Sequence, residues 1–353
     1  MTRRDLGVTV IICCHNSSAL LPRTLECLAR QVVAPGIPWE VLIVDNASTD
    51  DTGSVALRLW PPDCRAPLRV VQEPQLGLAH ARARGISEAR YEFLTFVDDD
   101  NWLNPAWVQV TYEVMRDHPD VGALGGINEP EFETERPGWF GQVAYLYATG
   151  PEGEPSGDVT RVHLLCGAGL NLRQTALVDL REKGFRFISA GRTGASLGSG
   201  EDSEITHSLR LAGWRLWIDP RLRLTHFLPE RRLRWEYARR LAYGSAYATP
   251  ERDALLYAYK PPRHGLLLQA RKLRECWVWQ GGAALARLLR APAGIVKRSL
   301  GTARDGDPDV LRVEFLRGRF DGLVAAWSWY AARSREVRKL MARLAEHSNE
   351  RDG

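Results

Sequence analysis

Phe93-Leu-Thr-Phe-Val-Asp-Asp-Asp-Asn-Trp-Leu-Asn-Pro-Ala-Trp-Val108 joins an apolar run to three successive carboxylates and then to a helix start. The run Phe93–Val97 reads as a buried strand. Asn104 is placed to cap a helix whose first residue is Pro105. In an open α/β sheet, ligands bind outside the carboxyl ends of the strands, so Asp98, Asp99 and Asp100 stand where a ligand sits. Extended geometry continued for two more residues would put Asp98 and Asp100 on one face and Asp99 on the other. Two carboxylates on one face repel unless a cation neutralises them, and oxygen-only ligation suits Mg²⁺ or Mn²⁺. A solvated turn before the positive end of a helix explains the same residues. The aspartates alone leave both readings open.

The same grammar precedes this stretch. Val8–Cys14 and Glu40–Val44 are apolar, β-branched runs of the kind buried on both faces, and Leu68–Val71 is a third strand. Helical spacing fills the intervals, over Leu20–Gln31, 54–60 and Gly77–Ala89. Strands alternating with helices predict a mostly parallel sheet. The polar loops after the strands, at Cys14-His15-Asn16, Asp45-Asn46 and Asp98–Asp100, then gather on one sheet edge. No Gly-x-Gly-x-x-Gly follows the first strand and no phosphate-loop lysine exists, so a nucleotide, if one binds, would be held by aspartates, a metal and side-chain hydrogen bonds and not by a glycine cradle.

Downstream the texture changes. Val121–Ile127 reads as a strand, and 129–157 as a long Gly/Pro/Glu-rich loop with aromatics, substrate-facing or mobile. A helix is expected over Gln174–Arg181, a flexible approach over Gly191–Gly200, and an acidic helix start at Glu201-Asp202-Ser-Glu204. Strands follow at Trp214–Asp219 and Leu222–Thr225, ending at His226. Beyond Pro229 the chain reads as helical and arginine-rich.

The 353 residues, 44% hydrophobic, suffice for one large α/β domain and an appendage. From Lys260 onward 19 Lys and Arg face 10 Asp and Glu, leaving 28 against 33 before it. The acidic part suits a metal site and the basic part an anionic surface. Six cysteines without paired spacing read as buried thiols of a reducing cytoplasm. The first residues show no signal-peptide pattern, and no apolar stretch is long enough to span a bilayer.

Six segments together resemble the family 2 glycosyltransferases of the GT-A fold. They are Val8-Thr-Val-Ile-Ile-Cys-Cys-His-Asn16, Val41-Leu-Ile-Val-Asp-Asn-Ala-Ser-Thr-Asp50, Gly77-Leu-Ala-His-Ala-Arg-Ala-Arg-Gly-Ile86, Phe96-Val-Asp-Asp-Asp100, Gly167-Ala-Gly-Leu-Asn-Leu-Arg173 and Gly200-Glu-Asp202. Phe315-Leu-Arg-Gly-Arg-Phe-Asp-Gly-Leu323 resembles bacterial polysaccharide-assembly members. The chain departs from the family at Cys13-Cys14-His15-Asn16, where Pro-x-Tyr-Asn is usual, and at Arg82-Ala83, where Arg-Asn is usual. It also lacks the Gln-x-x-Arg-Trp signature of processive synthases, which Arg231-Arg-Leu-Arg-Trp235 resembles only superficially; that argues for transfer of a single sugar.

The resemblance implies a catalytic GT-A domain over 1–228, with a nucleotide half to about 120 and an acceptor half beyond, then a helical basic region over 229–353. It implies that Asn16, Asp45, Arg82, Asp98 and Asp99 bind the nucleotide sugar, and that Mn²⁺ or Mg²⁺ is held through Asp98, Asp100 and His226. His226 equally suits a satisfied buried histidine. Asp202 is the implied general base of an inverting transfer to a glycan or lipid-linked hydroxyl. Nucleic acid is not an expected partner. Two other readings stay open, a sugar-1-phosphate nucleotidyltransferase and a non-catalytic sugar-nucleotide-binding subunit. The first would want a basic glycine-rich loop after the first strand, where residues 15–22 hold no Lys, Arg or Gly. Charge-free stretches between Glu275 and Arg287 and between Asp321 and Arg333 carry paired tryptophans, which suit either a membrane surface or packing on the catalytic domain.

Overall fold

The computed structural model describes residues 4–149, 156–161, 165–188, 200–259, 276–301 and 304–349. The expected flexible approach, up to residue 199, and the first part of the basic region, 260–275, lie outside the described residues.

Strands β1 (Asp5–Cys14), β2 (Trp39–Asn46) and β4 (Tyr91–Val97) form the centre of the sheet, with β1 between and parallel to the other two. Their near-continuous burial is what the β-branched runs foretold. β3 (Leu68–Glu73) pairs parallel to β2. Beyond β4 come β8 (Leu170–Arg173), β6 (Val121–Phe132), β9 (Arg215–Leu228) and β5 (Asn101–Leu103), with β7 (Gly157–Asp158) also on β9. Side chains alternate across the sheet as a period of two requires. Val8, Val10 and Ile12 enter a core with α1 (Leu21–Ala29) and α4 (Trp107–Asp117). Ile11, Leu42 and Val44 enter another with α3 (Leu78–Glu88), α5 (Gln174–Glu182) and α6 (Glu201–Leu211). The small helix α2 (Thr52–Leu59) follows β2.

A polar hub pins the two halves of the sheet together. Asn171, fully buried on β8, accepts from Thr95 Oγ1 (2.6 Å), Thr111 Oγ1 (3.1 Å) and Trp107 Nε1 (3.3 Å). Its amide donates to the carbonyls of Leu124 and Gly169. A buried polar group satisfied on every side specifies one register at little cost.

Three local expectations are corrected. The helix after the aspartates starts at Trp107 with Ala106 before it, not at Pro105 behind an Asn104 cap. The chain instead turns at Asp99-Asp100 and runs as β5 against β9, and Asn104 closes that strand: its N–H donates to Arg223 O and its amide to Arg221 O, both at 3.0 Å. The turn also ends the extended geometry on which the facing of Asp98 and Asp100 was argued. Finally, the two strands expected around Asp219 and Leu222 are one, β9, which carries Pro220 at an irregularity between Ile218 and Arg223.

The segment 129–157, expected as a loop, begins as the end of β6 and folds into short 3₁₀ turns. Trp139, Phe140 and Tyr147 are buried in a third core with Leu228, α7 (Trp235–Tyr247) and α11 (Pro308–Ala325). The Arg-Gly-Arg-Phe-Asp-Gly run on α11 has a packing reason. A Cβ on Gly318 would lie 2.2 Å from Tyr243 O, and one on Gly322 2.1 Å from Tyr247 O, so only glycine lets α7 approach so closely. α8 (Thr249–Tyr259), α9 (Trp277–Leu289), α10 (Pro292–Leu300) and α12 (Tyr330–Asn349) complete the helical region.

Candidate active site

The chain runs β1, β2, β3 outward on one side and returns with β4 on the other side of β1, so the sheet's topological switch point lies between β1 and β4. A cleft of about 660 Å³ opens at the carboxyl ends of those strands. Arg82, Asp98, Asp99, Asp100, Asp202 and His226, six of the eight expected site residues, line it together. Its size suits a small ligand of nucleotide dimensions.

Asn16 and Asp45 are not among the lining residues. Asn16 adopts a left-handed backbone (φ 54°), and its Oδ1 accepts from Thr49 N–H at 2.8 Å, tying the first loop to the second. Asp45 accepts from Gln72 Nε2 at 3.0 Å and lies against Gly53. The cleft receives their neighbours, His15 and Asn46. Asn46 is committed locally: its amide donates to Glu73 O and Gln75 O while Oδ1 accepts from Gly77 N–H, which fixes the start of α3.

Asp100 is almost fully buried, and three side chains among the described residues meet it. Asn101 Nδ2 donates to Oδ1 at 2.9 Å, His226 Nε2 is 3.5 Å from Oδ1, and Arg232 Nη1 is 2.6 Å from Oδ2. His226 Nδ1 lies 2.7 Å from Tyr147 O, a group that only accepts, so Nδ1 carries a proton and Nε2 is the nitrogen turned toward Asp100. A backbone carbonyl fixing the tautomer from behind is the usual support of a metal-binding histidine. A separation of 3.5 Å is one that two ligands of a single ion can have. Among the described residues no three His, Cys, Asp or Glu cluster to hold a metal alone. Mg²⁺ and Mn²⁺ sites commonly take only one or two protein carboxylates, with water and phosphate oxygens completing the shell. The residues present therefore fit such an ion when a diphosphate accompanies it.

Asp99 is held differently. Burial, reinforced by the charge of Asp100, pushes its carboxyl up to about 6, and its own carbonyl accepts from Thr24 Oγ1 of α1 at 2.7 Å. A carboxyl raised in the folded state binds more protons folded than unfolded between about pH 4 and 6. Stability from this group is thus lost as pH rises through that window. Melting temperatures of the wild type should fall relative to Asp99→Asn from pH 4 to 6; parallel curves would refute the raised value.

Asp202 stands in the first turn of α6, behind Gly200, whose φ of +153° few other residues adopt. Its Oδ2 accepts from Gly167 N–H at 2.8 Å and its Oδ1 from Ser203 N–H at 2.6 Å. Burial raises its pKa, the Glu201 charge raises it further, and Arg82 opposes both. Arg82 pairs with Glu201 at 3.0 Å and lies over the Phe96 ring at 5.4 Å. Arg252 of α8 donates to Ser203 Oγ at 3.1 Å, and Arg333 of α12 pairs with the fully buried Glu204 at 3.1 Å. Helices far along the chain therefore hold the turn that carries Asp202. Sequence reading missed Arg232, Arg252 and Arg333, whose partners are remote in sequence.

The thiols are less uniform than expected. Cys14 is buried, Cys13 is half-buried on the cleft wall with its pKa pushed up by burial to about 12, and Cys166 is exposed in the cleft.

This architecture is the GT-A fold. A mannosyltransferase from Pyrobaculum calidifontis, solved in complex with GDP-mannose and Mn²⁺, shares it with a TM-score of 0.55 at 19% identity, over 93% of this chain and 88% of that one. Residues 9–166 match the profile of Glycosyl transferase family 2. A hyaluronan synthase of Pasteurella multocida is 25% identical over 198 residues, covering 53% of this chain and 19% of the synthase. The validoxylamine A glucosyltransferase of Streptomyces hygroscopicus subsp. limoneus is 29% identical over 181 residues, 44% of this chain and 38% of that enzyme. The chain spans 19%, 32% and 18% of the length of the first three curated relatives it matches.

Proposed function

We propose that the protein is an inverting glycosyltransferase that moves a sugar from a nucleoside diphosphate donor to a hydroxyl of a glycan or lipid-linked acceptor. The reading rests chiefly on one observation: the His226–Asp100 pair and the Asp202 carboxylate line the same cleft at the switch point. Asp202 takes the acceptor proton as the acceptor oxygen bonds to the anomeric carbon. The bond from that carbon to the diphosphate oxygen breaks, and its electron pair leaves with the diphosphate. A divalent cation held by Asp100 and His226, with Asp98 beside them, supplies electrostatic stabilisation of the leaving charge. Arg82 and Asp98 hold the donor, Asp99 supports the turn, and Asn16 and Asp45 act through the loops they tie. Residues 1–228 would then be the catalytic part, in two halves divided near 120, and the described helices beyond 229 would brace it. UDP-, dTDP- and GDP-sugars with Mn²⁺ or Mg²⁺ should raise the melting temperature, and at least one should be hydrolysed slowly to its nucleoside diphosphate. Binding without turnover, with or without acceptor, would make the chain a binding subunit. Release of inorganic diphosphate from a nucleoside triphosphate and a sugar phosphate would make it a nucleotidyltransferase.

The helical region is proposed to meet an anionic membrane from the cytoplasmic side. No helix among the described residues is long and apolar enough to cross one. Each tryptophan pair has one packed and one exposed member. Trp277 and Trp329 pack with Leu323, Ala326 and Tyr330, whereas Trp279 and Trp327 are 55% and 68% exposed. Helix α9 turns Gly281 and Ala284 inward and leaves Val278, Leu285 and Leu289 outward. An apolar outer stripe on a helix with exposed Arg287 and Arg290 near its C-terminal end suits an interfacial helix. A truncation after Pro261 would strip α11 and α12 from two cores, so substitution tests the idea better. The intact chain should float with anionic liposomes, less so as salt rises, and Trp279→Glu with Trp327→Glu should stay in the soluble fraction. Equal flotation of both would refute this surface.

A further inference from the structure

We propose that Arg232 and the divalent cation take turns on Asp100, so that the chain binds its metal strongly only together with a nucleoside diphosphate. The inference rests on the metal reading above and concerns a residue which that reading leaves without a role.

Arg232 ends the 3₁₀ turn Glu230–Arg232 directly after β9, and Tyr147 fastens that turn by donating its hydroxyl to Arg232 O at 2.8 Å. The same Tyr147 contributes the carbonyl that orients His226. One residue thus positions both the imidazole and the guanidinium. Arg232 Nη1 is 2.6 Å from Asp100 Oδ2 and 3.4 Å from His226 Nε2, with its side chain 17% exposed. A guanidinium cannot donate usefully to an imidazole that also ligates an ion, nor can a cation about 2.1 Å from those atoms share the space with Nη1. Two positive groups packed against one buried carboxylate also repel strongly where little water screens them.

The arrangement makes sense as a held place. Without donor, Arg232 supplies positive charge at 2.6 Å to a buried carboxylate, which lowers the cost of keeping it ionised there. The arriving diphosphate offers that guanidinium a bidentate partner. The position that Nη1 held between Asp100 Oδ2 and His226 Nε2 then passes to the cation. Metal and diphosphate binding are therefore coupled, and linkage requires the coupling to be equal in both directions.

The test measures Mn²⁺ binding by electron paramagnetic resonance, with no sugar transferred. Wild type and Arg232→Gln are titrated with Mn²⁺ alone, then with UDP, dTDP or GDP, against protein-free controls. For wild type, the best nucleoside diphosphate should tighten Mn²⁺ binding by about tenfold or more, within the range such couplings ordinarily take. Arg232→Gln should bind Mn²⁺ alone more tightly than wild type does, and should lose most of that gain. Unchanged or weaker Mn²⁺ binding by Arg232→Gln overturns the proposal. Should that variant not fold, wild type decides: Mn²⁺ affinity unaffected by every nucleotide overturns it equally. Failure to bind Mn²⁺ under any condition would instead defeat the metal reading, and this inference with it.

Discussion

Asp100→Ala is expected to abolish sugar transfer at every Mn²⁺ concentration. Asp100 Oδ1 is the carboxylate oxygen that meets His226 Nε2 at the strand end among the described residues, so an alanine there removes half of the pair proposed to hold the ion. The variant should also lose stability, because Asp100 is a buried acceptor for Asn101 and the counter-charge of Arg232. Removing one member of such a pair leaves the other charge uncompensated, at a cost that reaches about 3–5 kcal/mol when burial is complete. Arg232 keeps some exposure, so the loss should fall below that figure. Asp100→Asn separates the two effects. It keeps an acceptor for the guanidinium and the shape of the turn, removes the charge, and should be as inactive as alanine with a melting temperature nearer wild type. Transfer by either variant that responds to Mn²⁺ would sink the assignment of Asp100 to the cation.

How much of this was legible depended on distance along the chain. The strands β1, β2 and β4 were visible because a strand buried on both faces must be apolar without interruption. Their loops could be gathered on one edge because parallel strands allow nothing else. Facing within those loops was not legible. The side-chain alternation that put Asp98 and Asp100 on one face fails once the backbone turns, and it turns at Asp99-Asp100; Asn16 lies past the end of β1 in a left-handed conformation. Asn104 misled for a related reason. Asparagine before proline is a good helix start, but the same amide satisfies a strand end, and the pairing of β5 with β9 across more than a hundred residues decided between them. Arg232 lies in a run that was read only as a poor copy of a synthase signature. Nothing local distinguishes it from Arg231 or Arg234, and only the folded path of β9 brings it to Asp100. The glycines of α11 could have been read, since a pair four residues apart on a helix commonly marks a close crossing.

Asp202→Asn is expected to lower kcat by about 10²–10⁴ while leaving donor affinity nearly unchanged. The amide keeps the size of the side chain and one acceptor oxygen, so one of the two bonds from Gly167 N–H and Ser203 N–H survives and the other is lost, at some cost in stability. What disappears is the capacity to take a proton from the acceptor. The raised pKa of Asp202 gives the wild type a second mark. A base works when ionised, so wild-type kcat should fall as pH drops through that raised value, which lies above the ordinary carboxylate range because of burial and the Glu201 charge. The residual rate of Asp202→Asn should lack this dependence. Arg82 acts in the opposite sense: Arg82→Met removes the cation that favours the ionised carboxylate, so the falling limb should move to higher pH, while loss of the Arg82–Glu201 pair weakens donor binding as well. Glu201 is the competing base, one residue away on the same turn and bound to Arg82. If Asp202→Asn keeps activity within a few-fold and Glu201→Gln does not, the proton goes to Glu201, and Asp202 serves to hold the Gly167 strand end in place.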